Sequence, residues 1–155
     1  MMNDRIKHRK SRSWVGDFAF MCCLAAALWI GAKALGGQSE THRSLLDAIR
    51  KVESNDGKVM VGDDGAAIGP YHIHKDYWLD AVRHNPSIGG TYQDCMRKEY
   101  AELVVLAYWD RYASRDASNE TLARIHNGGP CGAKRKATLR YWAKVRRELA
   151  AAGPR

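Results

Sequence analysis

The sequence predicts an α+β domain, mostly helical with one small sheet, over about residues 45–150. Three observations predict it. Five separate segments read as helices from the spacing of their apolar residues. One Gly-rich stretch between residues 58 and 73 holds two short apolar runs around a turn, the pattern of a hairpin. The whole chain is 155 residues with 45% hydrophobic and 27% charged side chains, the size and composition of a single globular domain. Disorder, collagen-like repeats and a multi-pass membrane protein are excluded by the same figures.

The elements follow in order. Residues 1–13 hold five Lys or Arg and one Asp, and an uncharged run of fifteen residues from Phe18 to Ala32 comes after them. A basic flank, an apolar run and the small residues Ala34, Gly36 and Gly37 make an export signal over residues 1–37. Phe18 to Gly37 reaches spanning length if Lys33 snorkels, so a cleaved signal and a single uncleaved anchor both fit. An anchor would keep the basic N-terminus inside and place the rest outside. Residues 38–44 read as a linker.

From Thr41 to Ser54, Leu45, Leu46, Ile49 and Val52 form one apolar face, and Asn55-Asp56-Gly57 stops the helix. Lys58 to Ile73 forms the hairpin around Gly62-Asp63-Asp64-Gly65. Lys75 to Arg83 is a short helix. Thr91 to Ala113 reads as one long helix with Met96, Tyr100, Leu103, Val104, Ala107 and Tyr108 along a face. Ser118 caps a helix over Asn119 to His126, which Asn127-Gly128-Gly129-Pro130 ends. Thr138 to Ala151 forms a final basic helix.

The formal charge of +8 invites nucleic acid as a partner until its distribution is read. Residues 1–37 carry +4, residues 38–123 carry −4 and residues 124–155 carry +8. Half the excess therefore belongs to targeting, and no zinc-finger, helix-turn-helix or RNP pattern accompanies the rest. No nucleic acid is expected. A basic end outside the cell meets an anionic envelope polymer or a membrane surface. Four cysteines are too few for a disulfide framework. Cys95 and Cys131, the only two beyond residue 37, are a disulfide candidate in an oxidising compartment, with two free thiols as the other reading.

Glu53 lies four residues after Ile49 and seven after Leu46, on or beside the apolar stripe at its helix end. Partial desolvation there raises a carboxyl pKa and suits a general acid. Asp63 and Asp64 follow ten residues later, where a turn folding back could set one of them across a cleft. Two carboxylates in unlike environments are what glycoside hydrolysis needs. Tyr71, Tyr77 and Trp78 follow the turn, with Trp109, Tyr141 and Trp142 later; such rings stack on sugars or fill a core.

Val52-Glu53-Ser54, then Gly69-Pro70-Tyr71-His72-Ile73 with Tyr77-Trp78, and Ala123-Arg124-Ile125-His126-Asn127-Gly128-Gly129-Pro130 with Tyr141-Trp142 resemble the invertebrate-type (destabilase-like) lysozymes over about residues 45–147. The resemblance implies the lysozyme-like fold and cleavage of the β-1,4 bond between N-acetylmuramic acid and N-acetylglucosamine in peptidoglycan. It places the acid on Glu53 and the second carboxylate on Asp63, with Asp64 beside it. The candidate sugar-binding residues are then Asp64, Tyr71, His72, Tyr77, His126 and Asn127. Few cysteines with an N-terminal export segment look more like bacterial or phage-borne relatives. A lytic transglycosylase using Glu53 alone, and a glycan-binding module without catalysis, are the alternatives. A metal site from His72, His74, His126 and Cys131 lacks the HExxH or paired-cysteine spacing, so no metal or cofactor is expected. The expected partners are peptidoglycan strands and, if the anchor persists, the membrane.

Overall fold

The computed structural model describes residues 42–153, and the segment expected to direct export lies outside them. Among the described residues five α-helices accompany one small sheet, which is the predicted α+β class. Helix α1 (Arg43–Ser54) buries Leu45, Leu46 and Ile49 of the stripe its spacing predicts, with Ala48 beside them and Val52 half-buried. It begins two residues inside the stretch read as a linker.

Strands β1 (Val61–Gly62), β2 (Ala67–Ile68) and β3 (Ile73–His74) form an antiparallel sheet in the order β1-β2-β3. Val61 pairs with Ile68, and Ile68 with Ile73. The hairpin is where the sequence places it; the third strand is an addition. A positive φ at Gly69 brings the β2–β3 corner against the backbone of residue 95, where a Cβ would stand 1.9 Å from the Cys95 carbonyl. Only glycine fits that contact.

Helix α2 (Lys75–His84) packs on α3 (Lys98–Tyr112), the central helix. Tyr100, Ala101, Val104, Val105, Leu106, Ala107, Tyr108 and Trp109 of α3 are all buried, so it is covered on nearly every side. The segment expected as one long helix is two. A 3-10 turn over Tyr92–Met96 ends at Arg97 in extended conformation, and α3 starts after it. The cause is local: Thr91 and Asp94 form a capping box, with Asp94 Oδ2 accepting from the Thr91 N–H at 2.7 Å, which starts a turn where the apolar period runs on.

Helix α4 (Asn119–Gly128) is capped by Ser118, whose Oγ accepts from the Thr121 N–H at 3.2 Å. Two short turns lead to α5 (Leu139–Ala152), which packs on α1 and α4. Arg124 ties that connection down, donating to Thr138 Oγ1 at 2.9 Å and to the Arg135 carbonyl at 3.2 Å. No helix among the described residues is long and apolar enough to cross a membrane.

Candidate active site

Glu53 is the penultimate residue of α1. Asn55, Asp56 and Gly57 all take positive φ, which turns the chain back toward the sheet. Ser54, fully buried, fixes the reversal. Its hydroxyl donates to the Pro70 carbonyl at 2.8 Å and accepts from the Gly57 N–H at 2.8 Å. The helix end and the β2–β3 corner are thereby one rigid unit, and Glu53 projects beside it.

The Glu53 side chain is 17% exposed. One oxygen lies 3.5 Å from His72 Nδ1 and the other 3.7 Å from His126 Nε2, which is ion-pair range without a hydrogen bond. Burial pushes its pKa above the ordinary carboxyl value, and the charge of Asp63 adds to that rise. Tyr141, His72 and Lys144 pull the other way without reversing it. The Tyr141 hydroxyl lies close enough to act on Glu53, yet it has no acceptor in hydrogen-bonding geometry.

His72 has φ +43 and swings its ring over β1, where Gly62 leaves room for it. Its Nε2–H donates to the Val59 carbonyl at 3.0 Å, so Nδ1 is the atom turned to Glu53. His126 comes from the last turns of α4 and is buried; desolvation lowers its pKa to about 4, so it is neutral near pH 7. Tyr77 holds it: the hydroxyl is 3.2 Å from His126 Nδ1, while the Tyr77 ring stacks on Tyr108 at 3.6 Å.

Asp63 sits in the β1–β2 turn, 72% exposed, and His74 Nε2–H donates to its Oδ2 at 2.8 Å. The two carboxyls therefore occupy opposite environments, one desolvated and one solvated and hydrogen-bonded. Asp64, at φ +52, is also exposed. Asn127 is exposed on α4 next to His126.

The structure brings His72 and His126 to Glu53 and, through its contact with His126, Tyr77; Asp63 acts on Glu53 through its charge. The structure removes Tyr71. That ring is fully buried, and its hydroxyl donates to the buried carboxylate of Glu102 at 2.8 Å. Tyr71 is a core residue, not a sugar-binding one, because its partner sits on the central helix. Trp109 is likewise core, and Trp78 spends its indole N–H on Tyr100 at 3.0 Å. The disulfide candidate also fails: Cys95 and Cys131 are both free, one buried beneath the β2–β3 corner and one exposed after α4. Burial pushes the Cys95 thiol up to about 12, which leaves it inert. Among the described residues no group of three His, Cys, Asp or Glu could hold a metal.

The sequence assigns no role of their own to Ser54 and Glu102, and offers His74 only as a metal-ligand candidate. The serine carries a faint local signal, a hydroxyl at a helix end. His74 and Glu102 act through partners 11 and 31 residues away, which no local pattern shows.

The Destabilase family model matches residues 42–148. A lysozyme of Magallana gigas is 37% identical over 83 residues, 52% of this chain and 58% of that one. Invertebrate-type lysozyme 6 of Caenorhabditis elegans is 33% identical over 109 residues, 63% of this chain and 79% of its own. Among solved structures, the inhibitor-bound lysozyme from Meretrix lusoria superposes with a TM-score of 0.58 at 31% identity, covering 67% of this chain and 87% of that one.

Proposed function

We propose, because this chain belongs to the destabilase family of invertebrate-type lysozymes, that it is a muramidase hydrolysing the β-1,4 bond between N-acetylmuramic acid and N-acetylglucosamine in peptidoglycan. Glu53 is the general acid. Its proton passes to the glycosidic oxygen as the bond to the muramic C1 breaks, and Asp63 supports or attacks the resulting sugar cation. Water then bonds to C1 and returns a proton to the Glu53 carboxylate. The observation that carries this reading is the contrast between the carboxyls: burial raises the pKa of Glu53, whereas Asp63 is solvent-exposed and takes a hydrogen bond from His74.

The remaining groups serve Glu53 or the sugar. His72 and His126 stand at either oxygen of the acid, and Tyr77 holds His126 in place. Asn127 and Asp64, both exposed, are assigned to sugar hydroxyls. Export by residues 1–37 is part of the proposal, since the substrate lies outside the cytoplasm.

The test compares the wild-type chain with Glu53→Gln and Asp63→Asn on purified peptidoglycan. Both variants should lose most muropeptide release, by about 100-fold or more, because each removes one partner of the pair. A Glu53→Gln protein with near wild-type release would end the proposal. Loss in Glu53→Gln with full activity in Asp63→Asn would move the reaction to the transglycosylase class.

A further inference from the structure

The cleft chemistry leaves the basic C-terminal end of the molecule unused. From Arg124 to Arg155 nine side chains are basic, and Glu148 alone is acidic. Lys134, Arg135 and Lys136 lie in the turns before α5, and Arg140, Lys144, Arg146 and Arg147 lie on it, all exposed. Among the described residues none of these seven makes an ion pair; the pair on α5 joins Glu148 to Lys51 at 4.0 Å.

Helix stability does not account for this arrangement. The first turn of α5 has no acidic residue, and three basic side chains stand just ahead of its positive end. Arg140 and Lys144 are a like-charge pair one turn apart, which also costs stability. At 100° per residue, Arg140, Lys144 and Arg147 fall into one stripe roughly 10 Å long, turned away from the buried Tyr141 and Val145. Ala143, Ala150 and Ala151 flank the stripe and leave it unobstructed.

The stripe lies on the helix that packs against α1, the helix that ends beside Glu53, and Lys51 of α1 pairs with Glu148 of α5 at 4.0 Å. Lys144 is near enough for its charge to act on Glu53. An anionic polymer lying on the stripe would therefore pass the general acid. A bilayer would need a broad plane of cations, and single-stranded nucleic acid would need exposed aromatic platforms among them. A line of three along one helix matches a linear polyanion better than either.

We propose that the Arg140–Lys144–Arg147 stripe binds the stem-peptide carboxylates of the same peptidoglycan strand whose backbone lies against Glu53. This rests on the muramidase reading and adds how the substrate's charge is used. The stripe tightens the hold on charged wall without touching the bond that is cut.

The test uses the full chain with Arg140→Gln/Arg147→Gln, against Arg83→Gln/Arg146→Gln, which removes the same charge from exposed sites off the stripe. Each protein is assayed on native peptidoglycan and on peptidoglycan whose stem carboxylates have been chemically amidated. The stripe pair should raise the half-saturating concentration of native peptidoglycan about three- to tenfold at low salt, with the amidated substrate and kcat unchanged. The difference should vanish near 1 M salt. The control pair should change it less than twofold.

Equal losses in both pairs would mean that net charge alone matters, and the proposal falls. It also falls if the stripe pair loses as much on amidated substrate, or loses nothing. If no protein cuts either substrate, the muramidase reading has failed separately. Co-sedimentation with native peptidoglycan then decides the stripe, which must still show three- to tenfold weaker binding in the stripe pair. Stripe-dependent retention on phosphatidylglycerol vesicles that exceeds retention on peptidoglycan would assign the surface to a bilayer and overturn the proposal.

Discussion

Gly62→Ala tests the placement of His72 against Glu53. Gly62 has φ −122 and ψ 173, extended backbone that alanine adopts freely, so the change is purely steric. A Cβ there would stand 2.6 Å from Nδ1, 2.9 Å from Cε1 and 3.0 Å from Cγ of His72. Ordinary contact begins near 3.5 Å, so the ring must retreat by about 1 Å. That retreat breaks the 3.0 Å bond to the Val59 carbonyl and carries Nδ1 away from Glu53. The expected cost is about 1–3 kcal/mol of stability and roughly a 10- to 100-fold loss of rate. Urea unfolding and the initial rate of muropeptide release measure the two. Adding His72→Ala removes the ring that clashes, so the double variant should be no worse than His72→Ala alone, a coupling of about 1–2 kcal/mol. Additive effects, or a Gly62→Ala enzyme with wild-type rate, would refute the reasoning.

Two further outcomes follow from the same structure. Tyr71→Phe takes a donor from the buried Glu102 carboxylate and should lower urea stability by about 1–3 kcal/mol while leaving KM unchanged, as a core position would. A raised KM would return Tyr71 to the sugar cleft. His126 titrates near 4 in the folded chain against an ordinary 6.5, so between those values the unfolded chain binds a proton that the folded one does not. Stability from this group is full above 6.5 and is lost as pH falls toward 4, by up to about 3 kcal/mol. Glu53, with a raised pKa, acts with the opposite sign, so the effect is read as the difference between wild type and His126→Gln at pH ~4.5 and ~7. An unchanged difference between the two proteins would mean that His126 is charged in the fold.

Local pattern reached the helices and the hairpin, because burial of Leu45, Leu46 and Ile49 on one face is written in their spacing. It also set Glu53 at a desolvated helix end, and the block from Ala123 to Pro130 delivered His126 to the acid. What it missed depends on contacts far apart in the chain. Tyr71 follows the turn exactly as a cleft aromatic would, but Glu102 on α3 takes its hydroxyl inward. His72 reads as a sugar ligand until Gly62 and Val59 are seen to pin its ring beside Glu53. The break at Arg97 was in reach, since Thr91 and Asp94 are a capping pair; the apolar period across it was the stronger signal and prevailed.

The central claim is hydrolysis led by the Glu53 acid, and the masses of the products test it most directly. Digestion of peptidoglycan in heavy-oxygen water should release fragments ending in reducing N-acetylmuramic acid, each carrying one solvent oxygen, and Glu53→Gln should release none. Anhydromuramic ends lighter by one water, with no solvent oxygen incorporated, would contradict it.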